Sequence, residues 1–300
     1  MTATHIFGVL FGLGAATCQS LSYLFSRQFT KRPTGDPFTL FVASHAIMGV
    51  IAVVLLGVLR PHGLPPPGTY LVPLVSASLF YLAAQMGLFH VLHHVESSRV
   101  SPLLGTKVVV LALLAVGLFG QRLALQQWAA VLVSAAAVWL LNEAGGRIPM
   151  RQAGVLALTI VGYCGSDLSI GVLVNRMSGV RPLGTLVSTC LAYVLCAALV
   201  LPVAFGPRFR SASLWRAAAP QAVAWFTAMC FLFACFALIG VVFGNIVQSS
   251  RGILSIAIGW GVARMGKSHL ETHVTRAVFW RRLAGAVLMV AAVALYVTAP

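Results

Sequence analysis

Ser97-Ser98-Arg99 heads one apolar run and Ser249-Ser250-Arg251 heads another 152 residues later. Working outward from these two triplets, the chain divides into two series of five apolar runs, each run long enough to cross a bilayer as a helix. An odd number of crossings per series requires the second series to be inserted upside down relative to the first. Such inverted repeats typically enclose a site near the bilayer midplane and rock about it.

Composition fixes the solvent. Only 8% of the 300 residues are charged and 59% are hydrophobic, too little polar surface to cover a water-soluble core. Runs of roughly 17 to 25 residues match a hydrocarbon core of ~30 Å at 1.5 Å per residue. Ten are expected, over 6–25, 38–59, 70–90, 100–119, 125–141, 153–174, 183–205, 222–242, 246–263 and 283–297. No Lys or Arg precedes the first run, so it reads as a retained span rather than a cleaved signal. All six cysteines fall inside the runs without a CxxC pair, as small apolar packing residues.

The net charge of +15 comes from residues scattered through short loops, which suits anionic lipid headgroups and not nucleic acid. Arg27, Lys31, Arg32, Arg208, Arg210 and most other basic residues fall on the side opposite the N-terminus. That bias makes the opposite side cytoplasmic and both termini external.

Polar landmarks support an internal repeat better than apolar ones, which coincide by chance. Arg27-x4-Arg32-Pro33 matches Arg176-x4-Arg181-Pro182, Thr39-Leu40 matches Thr185-Leu186, Gly8-Val9-Leu10 matches Gly154-Val155-Leu156, and Cys18 matches Cys164. A boundary near Glu143 to Met150 gives repeats over 1–146 and 147–300. Further landmarks are Pro102, Gly120-Gln121-Arg122, Gln126-Gln127-Trp128 and Arg281-Arg282-Leu283-Ala284-Gly285-Ala286-Val287-Leu288. With these, the chain resembles the EamA-like ten-span permeases of the drug/metabolite transporter superfamily. Gln121 replaces the glutamate usual in that family, Leu254 stands where the second-half proline would be, and the family's termini are taken as cytoplasmic, against the charge bias. The resemblance implies an all-α membrane protein of ten helices in two inverted five-helix repeats. It further implies a central cavity lined by the first, third and fourth spans and their second-half counterparts.

A charge at mid-membrane costs at least ~2.5 to 3.5 kcal/mol on insertion scales, so each one should face a partner or a wet cavity. Asp167 lies about seven residues from the end of the sixth run, ~10 Å deep at 1.5 Å per residue. Arg251 lies at similar depth, and the two are expected to form an ion pair or to share a substrate. Asp167 reads equally as a site for a proton or cationic group and as a packing charge. Lys107 has no acidic residue near it in sequence, so it should meet an anion in the cavity or snorkel. Arg99 and Arg251, matched by the Ser-Ser-Arg triplets, would place one cation near each mouth. Gln19, Tyr23, Gln85, Ser166 and Gln248 could orient a substrate by hydrogen bonds, and Trp260 could stack on it. The scarcity of acidic residues favours an anionic or zwitterionic metabolite such as an amino acid.

His90, His93 and His94 share a helical face, and His269-x-Glu271-x-His273 follows later, but neither completes a zinc site or the HExxH order. No metal or other cofactor is expected. No GxSxG, HExxH or P-loop is present, so an enzyme is not expected. The functional expectation is a secondary transporter, an exporter of a small metabolite with protons as a candidate coupling ion, in a bacterial cytoplasmic membrane and in contact with lipid; a homodimer is compatible with this. The alternative from another class is a channel or a non-transporting membrane subunit.

Overall fold

The computed structural model describes residues 3–32, 35–119, 124–143, 148–264 and 276–298. Among the described residues there is no β-strand. The helices are α1 (Ala3–Thr30), α2 (Pro37–Leu59), α3 (Pro67–His94), α4 (Ser97–Leu103), α5 (Lys107–Phe119), α6 (Leu125–Glu143), α7 (Met150–Arg176), α8 (Gly184–Ala204), α9 (Ala212–Ile239), α10 (Val241–Gln248), α11 (Arg251–Arg264) and α12 (Arg276–Val297). Among the described residues seven stretches are long and apolar enough to cross a membrane, the last being the joined α10–α11 stretch Val241–Gly261. Exposed Val50, Val53, Val54, Val58, Leu132 and Leu158 put apolar side chains on the outer surface. A membrane protein shows such a surface, because lipid exerts no pressure to hide it.

Helix starts follow local chemistry. Asp36 caps α2, accepting from the Thr39 backbone N–H at 3.0 Å, and Pro37 occupies the first turn, where its missing N–H is harmless. Two expected spans are broken. The fourth consists of α4, a 3₁₀ turn at Leu104–Thr106, and α5; the ninth consists of α10 and α11. At both breaks a hydroxyl turns back on the preceding turn. Thr106 donates to the Leu103 carbonyl at 2.7 Å, Ser249 to Ile246 at 2.6 Å and Ser250 to Val247 at 2.7 Å. Such bonds compete with the regular ladder. In the ninth span the break lies at the two serines, mid-span, and the span begins at Val241.

The Ser-Ser-Arg correspondence is also corrected. Ser97 opens α4 immediately after α3, whereas Ser249 and Ser250 form the break and Arg251 opens α11. Lys107 opens α5 after the break in the fourth span, as Arg251 opens α11 after the break in the ninth.

Pairing is antiparallel throughout the centre. α1 packs along α9, α3 along α7, α2 along α8 and α6 along α12. On α1 and α9, Phe11 stacks on Phe231 at 5.9 Å between ring centroids while Tyr23 meets Trp225 at 6.0 Å. Glycines make these approaches close: a Cβ on Gly162 of α7 would meet Ala84 Cβ at 3.0 Å and the Phe80 carbonyl at 3.2 Å. Two ties join the connections, one between the backbones of His62 and Arg181 and one between the side chains of Asp36 and Arg208.

Candidate functional site

Five side chains from five helices form a continuous hydrogen-bonded chain in the bundle centre. Asp167 on α7 accepts from Lys107 Nζ at 2.6 Å, and Lys107 also donates to Gln248 Oε1 at 3.3 Å. Gln248 Nε2 donates to Gln19 Oε1 at 3.1 Å, and Arg251 Nη1 donates to the same oxygen at 3.1 Å. None of the five is more than 3% exposed. Asp167 stands nine residues before the end of α7 at Arg176, ~14 Å from that end at 1.5 Å per residue.

The helix breaks create this chain. Lys107 and Arg251 each sit at the first position of a half-helix, so two positive helix ends and two cations converge on one carboxylate. Cations are disfavoured at helix N-termini, which adds to the pull on any anion. The start of α11 is pinned by its own carbonyl: Arg251 O accepts from the Ser20 and Ser101 hydroxyls, both at 3.2 Å. The Arg251 Nε has no hydrogen-bond partner among the described residues. The buried chain therefore carries one more positive than negative charge, and a free donor points from the excess cation.

An aromatic wall flanks the chain. Lys107 Nζ lies 5.5 Å from the Tyr163 ring centroid, within cation–π range. Trp225 lies 6.0 Å from Tyr23, 6.1 Å from Tyr81 and 6.5 Å from Tyr163, and its indole N–H donates to Tyr193 at 2.8 Å. Between the wall and the charges lies a cavity of about 10 Å³, room for one water at most. The site is closed in this conformer.

Of the residues singled out from sequence, Lys107, Asp167, Arg251, Gln19, Gln248, Tyr23 and Ser166 line this cavity. Ser166 also donates to the Ala77 carbonyl at 3.0 Å. Gln85 lies beside the cavity, accepting from the Tyr163 hydroxyl. Arg99 is half-buried on α4 and does not line the cavity, nor does Trp260, which is 44% exposed and leans on Phe279 of α12.

The expected Asp167–Arg251 pair is corrected: the partner of the carboxylate is Lys107. Placed on an unbroken run starting at Val100, Lys107 reads as closer to one face. The true start at Ser97 and the break before Lys107 bring it to the level of Asp167. Tyr81 and Trp225 were missed. Trp225 could have been found, since Gln221 and Trp225 stand one turn apart on an otherwise apolar helix.

The histidines make contacts of their own. His94 lies 4.8 Å from His90 and 4.9 Å from His93 between ring centroids. Among the described residues no three His, Cys, Asp or Glu side chains cluster as a metal would require. Gly120-Gln121-Arg122 and the His269 to His273 motif lie outside the described residues.

Residues 6–143 match the EamA-like transporter family. No curated protein matches the chain. A solved structure described only as the crystal structure of a protein superposes with a TM-score of 0.60 at 18% identity, covering 97% of this chain and 98% of its own. That likeness speaks for the fold alone. The EamA match over residues 6–143 and the apolar helices support an integral membrane protein, as the sequence resemblance implied.

Proposed function

We propose that the chain is a secondary transporter exporting a small anionic or zwitterionic metabolite, such as an amino acid, across a bacterial cytoplasmic membrane. Two repeats over 1–146 and 147–300, each of five helices and inverted in sense, rock about the Lys107–Asp167–Arg251 chain. The observation that carries this reading is the buried, closed cavity holding two cations against one carboxylate at the junction of two broken helices. Neither a packing core nor a pore needs that arrangement. Taking two cations out of water costs several kcal/mol each unless paired, and among the described residues Arg251 donates to Gln19 and not to the carboxylate.

The inverted repeat is supported by how the halves pair. Exchanging the first helix with the sixth and the eighth with the third turns the α1–α9 packing into the α7–α3 packing. The same exchange turns the Asp36–Arg208 tie into the His62–Arg181 tie, each linking a loop of one half to a loop of the other.

In the mechanism, substrate carboxylate replaces Gln19 on Arg251 and competes with Asp167 for Lys107. A substrate ammonium, or a proton, takes Asp167 in exchange. Empty, the carrier closes because Lys107 and Asp167 satisfy each other. Counterflow in proteoliposomes, with a panel of radiolabelled amino acids and dicarboxylates, tests this. Saturable exchange of at least one anion or zwitterion is expected; flux that never saturates, or exchange of cations only, would contradict it. For the coupling ion, accumulation should follow an imposed pH gradient, and indifference to that gradient would remove the proton.

A further inference from the structure

The central cavity is too small for any metabolite, yet a cavity of about 500 Å³ lies at one end of the α1–α9 seam. This volume falls within the ~300–1,000 Å³ of ordinary ligand pockets. Its walls are Phe29 and Arg32 from the end of α1, Arg208 and Ser211 before α9, and Ser213 and Ala217 on α9. It lies on the face where the loops carry most of the Lys and Arg. Asp36 neutralises Arg208, and Arg32 leaves the cavity basic.

From this cavity to the centre, α9 presents one residue per turn: Ser213, Ala217, Gln221, Trp225 and Met229. The first two line the outer cavity and the last two the inner one. Gln221 is the intervening residue, wholly buried, and neither its oxygen nor its nitrogen has a hydrogen-bond partner among the described residues. The antiparallel register set by Tyr23 against Trp225 and Gln19 against Met229 brings Arg27 level with it, with Ser26 one residue before. The Ser26 hydroxyl is also wholly buried and without a partner. Leaving such groups dry is costly, a standing bias that hydration relieves. The far end of the same seam has the opposite character: Gly8, Gly12 and Gly14 of α1 lie close against Ile239, Cys235 and Phe231 of α9.

We propose that the basic cavity is an outer station for anionic substrate and that the α1–α9 seam is the passage from it to Arg251, with Gln221 and Ser26 as the polar lining that becomes wet when the passage opens. This rests on the transporter reading and names its route at one face.

The test is labelling of Gln221→Cys in full-length protein in membranes, read as a mass increment on the peptide carrying position 221. The probes are two methanethiosulfonates of similar size, one ending in a sulfonate and one in a trimethylammonium. Ser213→Cys serves as the marker for the cavity face, and Ser26→Cys repeats the measurement from α1. Both inner positions should react from the face that labels Ser213→Cys, at least ten times faster with the anionic reagent. Reaction at Ser213→Cys with none at Gln221→Cys or Ser26→Cys, in folded and monodisperse protein, would overturn the route. A faster cationic reagent would overturn the anion station. Labelling reads the opening whether or not substrate moves, so failed counterflow in the parent protein before labelling would count against the transporter reading and leave the passage standing.

Discussion

Asp167 and Lys107 hold each other in a setting where either alone would be costly. Removing one partner of a buried pair typically destabilises by ~3–5 kcal/mol, whereas replacing both with apolar groups is often close to neutral. Asp167→Asn is therefore expected to lower the thermal midpoint in detergent by several degrees, and Lys107→Met with Asp167→Leu to recover most of that loss. The double variant should still fail in counterflow. If it transports normally, the pair serves packing alone, the reading that sequence left open beside the functional one. At this scale the sequence was informative about identity and poor about pairing. Lys107, Asp167, Arg251, Gln19 and Gln248 are conspicuous because polar side chains are rare in apolar runs. Which carboxylate meets which cation depended on a helix break that periodicity does not reveal, and so Arg251 was given the partner that belongs to Lys107.

Among the elements, α2 and α8 were legible almost to their ends, whereas α9 begins well before the expected run at 222–242 and α1 extends past the run at 6–25. The runs at 38–59 and 183–205 became α2 and α8 with shifts of one residue, because apolar length is itself the signal. The fourth and ninth spans were not legible in the same way, since a Ser or Thr within an apolar run is as compatible with a continuous helix as with a break. Ser249 and Ser250 each bond the carbonyl three residues back. Ser249→Ala with Ser250→Ala should remove that competition and favour a straighter ninth span, moving Arg251 away from Gln19. Counterflow is expected to fall at least tenfold while the thermal midpoint holds or rises; unchanged transport would show that the break does not depend on the hydroxyls. Packing between elements makes its own demand. Gly162→Val places bulk against Ala84 and the Phe80 carbonyl, and overpacking of this kind costs ~1–3 kcal/mol. The midpoint of thermal unfolding should drop accordingly, and an unchanged midpoint would mean that α3 and α7 part more easily than their contacts indicate.

For the molecule as a whole, the two ties between loops lie at the surface and are weak. The Arg208 and Asp36 side chains are 56% and 31% exposed, and an exposed pair is worth ~0–1 kcal/mol. Asp36→Asn should thus leave stability within about 1 kcal/mol by denaturant unfolding, yet speed labelling of Ser213→Cys, because the tie spans the mouth of the outer cavity. A loss of several kcal/mol would make the tie structural and remove it from the mouth's opening. The central claim is that the buried charge chain is where substrate binds, with Arg251 as its anion-seeking end. A ligand at 100 times its Kd stabilises the protein by ~2.7 kcal/mol, which a thermal-shift screen of amino acids, carboxylates and organic cations on purified protein resolves. At least one anion or zwitterion should raise the midpoint of the parent protein, and Arg251→Gln should abolish the rise. Stabilisation by organic cations only, or a rise that survives in Arg251→Gln, would contradict the account.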